Sequence, residues 1–140
     1  MVNEAILVFE TGPAIPFTVA NGTGIEKGSI CMLADLMTAA TATGDEDYVA
    51  GIAATEKIAS DGNIRLGLFR EGIFKVMSSG SIAAGVSVAT HVATGAAANL
   101  VIASDSTCLS SKTLGIAMEA AEDGETFLME LKPGCMANGV

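Results

Sequence analysis

Tryptophan is absent from this chain, tyrosine and histidine occur once each, and aromatics make up only 4% of the 140 residues. Small-molecule pockets usually have aromatic walls, so the shortage counts against a ligand- or carbohydrate-binding module. Cations are scarce too. Seven Lys and Arg against sixteen Asp and Glu give a net charge of −9, with the cations scattered from Lys27 to Lys132. Phosphate recognition needs clustered Lys and Arg, which disfavours nucleic acid and anionic membranes as partners. The three cysteines, Cys31, Cys108 and Cys135, form no CxxC pair and leave one over. That argues against a disulfide framework or zinc site and for small buried hydrophobes. A signal peptide is missing its basic start: Glu4 stands there, before an apolar run of only Ala5 to Phe9. The weakly charged stretch Ile82 to Ser104 is long enough to span a bilayer, but its Gly, Thr, Asn and Ser fit strands and turns. Folding in a cytoplasm is expected.

What the chain has instead is small and β-branched. Half of it is hydrophobic, dominated by Ala, Val, Ile, Gly and Thr, with 16% charged residues and a mean hydropathy of +0.51. Such side chains suit pleated, half-buried surfaces. A surface this apolar on one small domain implies cover by partners, so an oligomer is expected.

Along the chain, residues 1 to 27 read differently from the rest. Pro13 and Pro16 force extended backbone and deny ladder hydrogen bonds, and Asn21 to Gly24 (NGTG) is a turn. This predicts an extended arm with an edge strand. From Gly28 the pattern is short strands between glycine turns: Ser29–Leu33, Tyr48–Ala54, Ile64–Phe69 and Ile73–Met77, with Ala34–Asp47 a loop and turns at Gly62 and Gly72. The second half echoes the first. Gly51-Ile52-Ala53 returns as Gly115-Ile116-Ala117, and Asp61-Gly62 as Asp123-Gly124, each Asp-Gly preceding an alternating strand. Two related β-units around one core are expected, at about 28–80 and 81–132, followed by a tail at 133–140.

No catalytic constellation emerges. His91 sits among small residues as a structural or surface histidine. Gly85-Val-Ser87-Val-Ala89 lacks the closing glycine of a nucleophile elbow, and Ser110-Ser111-Lys112 has the wrong spacing for Ser-x-x-Lys. In Gly22-Thr-Gly24-Ile-Glu-Lys27-Gly28 the lysine precedes the last glycine, so a P-loop fails, and the dinucleotide spacing is off by one. The acidic groups Asp45-Glu46-Asp47 and Glu122-Asp123-Glu125 offer oxygen ligands without a calcium-loop spacing and read as solvated loops. No enzyme, cofactor or metal is expected.

The arrangement resembles the head decoration (cement) proteins of tailed bacteriophages. It rests on Gly28, Gly51-Ile52-Ala53, Asp61-Gly62, Ile64 to Phe69 and Gly72-Ile73-Phe74, then Gly85, Leu114 to Ala117, Asp123 to Thr126 and Leu128 to Leu131, over roughly residues 28 to 132. The resemblance implies a mainly β fold, a compact β-barrel or β-tulip with an N-terminal arm and few or short helices. It implies a homotrimer on the outside of the virion, bound to the major capsid protein and stabilising the head. The capsid-binding arm would use Ile6, Leu7, Val8, Phe9, Pro13, Ile15, Pro16 and Phe17, with Gly62, Gly72 and Gly124 as structural turns. The alternative is another phage structural β-protein: a tail-tube, head–tail joining or fibre-base component.

Overall fold

The computed structural model describes residues 3–44, 46–91, 99–104, 108–136 and 138. Their strands are β1 (Ile6–Phe9), β2 (Ile15–Thr18), β3 (Ile30–Asp35), β4 (Thr38–Thr41), β5 (Val49–Ala53) and β6 (Arg65–Phe69), then β7 (Gly72–Ser78), β8 (Ser87–His91), β9 (Leu100–Ala103), β10 (Thr113–Ala117) and β11 (Thr126–Leu131). Ser110–Lys112 adds one turn of 3-10 helix. The fold is mainly β.

Alternation makes these strands. In β11, Phe127, Met129 and Leu131 are buried while Thr126, Leu128 and Glu130 face outward, and β6 buries Leu66 and Leu68 in the same period of two. Strands β2 to β6 close a barrel in the order β2-β4-β3-β5-β6. Strands β7 to β11 repeat its connectivity. β7 pairs β9 in parallel and β11 antiparallel, as β2 pairs β4 and β6. β8 lies between β9 and β10, as β3 lies between β4 and β5. Isolated bridges Ile25–Lys57 and Ile82–Ala121 stand at matching places. β1 is added to the outer edge of β7.

Several expectations need correcting. Residues 15 to 27 are not part of an arm outside the barrel, because β2 is one of its five staves and Phe17, Val19 and Ile25 are buried in its core, while β1 is an edge strand on β7. Proline is tolerated there for a geometric reason. Val19 donates its N–H to Ile64 O beside β6 and Thr18 donates to Met37 O on the other side, so by alternation the Pro16 nitrogen faces away from β6. The unit boundary falls at Arg70-Glu71, not near residue 80. The loop expected at Ala34–Asp47 contains β4. The Asp-Gly pairs are not tight hairpins, since residues 54–64 separate β5 from β6 and 118–125 separate β10 from β11. Gly72 is no turn either: it opens β7, opposite Leu131, with Phe9 O packed where a Cβ would lie.

The single expected core is two large clusters, with a small third of Ala89 and Cys108. One cluster fills the first barrel with Phe17, Val19, Ile25, Cys31, Leu66 and Leu68. The other fills the second barrel and extends onto the outer face of the first through Ile30, Val49 and Ile52. β5 is therefore buried on both faces. Asn99 fastens this seam: its Oδ1 accepts the Ile30 N–H (2.6 Å) and its Nδ2 donates to Gly28 O (2.9 Å) and Asn3 O (2.7 Å).

The second barrel shows the matching face with polar substitutions, Ser87 for Ile30 and Thr113 for Val49. The segment expected to be a free tail covers it. Thr113 donates its hydroxyl to Cys135 O, and Lys132 N–H reaches Leu114 O. Asn138 repeats the Asn99 clamp, accepting the Ser87 N–H (3.0 Å) and donating to Ser87 O and Ser104 O (2.9 Å each).

Candidate interaction surface

Ser87 Oγ and Ser104 Oγ share a buried hydrogen bond of 2.6 Å. Ser111 lies in the 3-10 turn, where Lys112 sits 4.9 Å above the Tyr48 ring. His91 ends β8 opposite Leu100. Burial pushes the Cys31 thiol up to about 12, so it stays protonated and inert. The acidic loops serve as local caps. Asp47 accepts the Thr43 and Gly44 N–H groups, Asp123 accepts that of Gly80, and Glu125 accepts that of Glu122. Asp45 lies outside the described residues. Among the described residues, no group of three or more His, Cys, Asp or Glu is placed to hold a metal ion, and no helix is long and apolar enough to cross a membrane.

Among the described residues, one charged group is buried. Lys57 is fully enclosed at the end of the first barrel, where Nζ donates to Asn21 O (3.1 Å), Ile58 O (2.6 Å) and Asp61 Oδ1 (2.7 Å). That hydrogen bond, followed by one from the Asn63 N–H, holds the Asp61 carboxyl below the ordinary carboxylate range. The pair ties the β5–β6 loop to the β2–β3 loop, with Asn21 Oδ1 accepting the Gly62 N–H. In the second unit Ala121 occupies the place of Lys57.

Exposed apolar side chains form the remaining feature. Ile6, Val8 and Phe9 of β1 are 53, 42 and 62% exposed, because only Leu7 packs inward against the core. Leu36 at the β3–β4 turn is 87% exposed beside the half-exposed Met37, whose φ of 49° is rare for a non-glycine residue. The two groups are joined along the fold. Phe9 pairs with Ile73 at the barrel junction, Gly12 lies against Glu71, Ile15 pairs with Leu68, and Thr18 donates to Met37 O. Of the residues expected in a binding arm, Ile6, Val8, Phe9, Pro13, Ile15 and Pro16 are surface or half-surface. Leu7 and Phe17 point into the protein. Leu36 and Met37 were missed, since a Leu-Met pair inside an apolar stretch carries no turn signal.

A family model described as phage cement protein matches residues 9–132. None of the curated proteins compared with the chain matches it. Among solved structures, the N base of the head fiber gp8.5 of bacteriophage phi29 shares the fold, with a TM-score of 0.55 over 84% of this chain and 93% of that one, at 12% identity.

Proposed function

The chain belongs to the phage cement protein family, a family of capsid-associated structural proteins, and on that premise we propose that it binds the outside of a tailed-phage head as a homotrimer and stabilises the shell. The observation that carries the reading is the path from the exposed apolar side chains of β1, past Glu71 and Thr18, to those of the Leu36–Met37 turn, set on the two barrels. Closed barrels leave little edge to deform, so the Leu36–Met37 turn stands on a rigid base, with β1 laddered onto β7. Apolar area covered on docking contributes roughly 25 cal/mol per Å² before entropy and desolvation costs. The partner is the major capsid protein, and the acidic surface around the path (Glu10, Asp35, Asp47) fits a basic rim on it. The chain acts by binding and needs no cofactor.

The test replaces apolar by charged at both ends of the path. Phe9→Asp with Leu36→Asp should leave the circular-dichroism spectrum and melting unchanged while at least a tenfold loss appears in co-sedimentation with heads lacking the protein. Restored resistance of those heads to heat by wild type, and not by the variant, is expected. Undiminished binding by the folded variant would sink the assignment of this surface. A second reading, a fibre base, is favoured by the fold shared with the phi29 head-fibre base. Electron microscopy distinguishes the two, through density at local three-fold positions or density only beneath fibres.

A further inference from the structure

β1 stands in an unusual relation to the barrels. The second barrel is closed without it, through the pairing of β7 with β9 at Met77–Leu100 and Ser78–Val101. β1 only occupies the rest of the same β7 edge, from Ile73 to Lys75. In the chain, however, β1 precedes β2, a stave of the other barrel, and Glu10–Ala14 joins them. That linker bends at Gly12, which Pro13 keeps out of the helical region. A Cβ on Gly12 would fall on the Glu71 carboxylate, which would have to swing aside.

The seat beneath β1 is poorly filled. A cavity of about 330 Å³ lies between the strand and the barrel junction, lined among others by Glu4, Leu7, Lys27, Ala54, Phe69 and Phe74. Dispersion contacts are missing wherever such a gap remains, so β1 is held by its ladder, by Leu7 and by the residues just before it, where the buried Ala5 donates its N–H to Gly28 O and Asn3 O accepts from Asn99. The seat is also marked by charge. Glu4 and Glu10 bracket the strand, while Lys27 and Lys75, two of only seven cations, belong to the seat.

The first barrel supplies the comparison. By the repeat, Lys75 of β7 corresponds to Pro16 of β2, whose outward nitrogen has no hydrogen to offer. The first barrel's edge is thus closed to strand addition, and the second barrel's is open. One edge is protected and its copy is built to accept a strand.

We propose that this edge accepts β1 from a neighbouring copy of the same chain, each copy passing residues 3–9, with the Asn3 and Ala5 contacts, to the next around a closed ring. Exchange preserves every ladder bond and the Leu7 contact, straightens the Pro13 linker, and ties the copies together by backbone pairing. The outward faces of Ile6, Val8 and Phe9 stay free for the shell. This inference needs only the protein alone, so its failure is separable from failure of capsid binding.

Two chains, Ile6→Cys and Lys75→Cys, both on a Cys135→Ser background, are co-refolded and oxidised; both positions lie on the surface and folding is checked by circular dichroism. A disulfide mapped between residue 6 of one chain and residue 75 of the other is expected. A bridge formed only in the Ile6→Cys/Lys75→Cys double variant, within a single 14.1 kDa chain, overturns the proposal. So does a bridge in neither preparation. Wild type gives an independent reading: carbodiimide coupling of Glu4 to Lys27 in a co-refolded equal mixture of 14N- and 15N-labelled protein. About half of the coupled peptides should carry mixed label if the strand is exchanged, and none if it is not.

Discussion

Each glycine of the repeated Gly-Ile-Ala sequence is fixed by a neighbouring backbone. A Cβ on Gly51 would stand 2.3 Å from Phe69 O, and one on Gly115 would stand 2.1 Å from Glu130 O. The glycines of the Asp-Gly pairs are constrained differently. Gly62 and Gly124 have φ of 83° and 80°, and a Cβ on either meets nothing within 4 Å. The first pair is held by space, the second by conformation alone. Gly51→Ala and Gly115→Ala should each cost about 3 kcal/mol or more, since a backbone oxygen cannot rotate aside. Gly62→Val and Gly124→Val should cost about 1–3 kcal/mol through strain alone. Chemical denaturation of the four variants tests the order, and a Gly51→Ala protein as stable as wild type would contradict it. Ser87→Ala also removes a buried hydrogen bond to Ser104, so it is no neutral control, whereas Ser111→Ala is.

The β5–β6 connection shows what a loop gains from one buried cation. Lys57 reaches three oxygens across two loops, and Asp61 is its only anionic partner among the described residues. Because the folded carboxyl titrates below its unfolded value, its stabilising contribution is complete above the ordinary aspartate range near pH 4. It is lost as pH falls through the depressed folded value. Asp61→Asn should therefore lower the melting temperature at pH 7 and flatten its fall below about pH 4. A variant with the wild-type acid slope would remove Asp61 from the account. The sequence reveals this loop only in part. Strands with clean alternation, β6, β7 and β11, are legible, and so is the repeat, because Gly-Ile-Ala recurs where strand crossings demand glycine. β4, Thr38-Ala-Ala-Thr, is not legible: its small residues lack an apolar–polar period, and only pairing with β3 and β2 defines it. Pro16 hides β2, because proline argues against a strand until one knows which edge its nitrogen faces. Lys57 looks like any surface lysine, since its partners, apart from Asp61, are backbone carbonyls that sequence does not display.

Across the whole molecule, the seam decides whether two similar barrels behave as one body. Ile30, Val49 and Ile52 leave the first barrel's outer face and join the core cluster of the second, while Asn99 and Thr90 bond the β3 and β4–β5 regions across the junction. A bare pair of five-stranded barrels of this size would each bury too little apolar area for much independent stability. Shared burial therefore couples them, and unfolding should be a single transition. Ile52 is the most direct probe, being fully buried, on the doubly covered strand β5, and in the cluster that spans the seam. Ile52→Ala should cost about 2–5 kcal/mol, the usual range for emptying a core isoleucine. The diagnostic is where that loss is felt. Hydrogen exchange followed on peptides from β6 of the first barrel and β11 of the second should accelerate by the same factor in the variant, because opening either exposes the shared face. Acceleration confined to β6, with β11 unchanged, would show that the barrels open separately and that the seam is a contact between independent units.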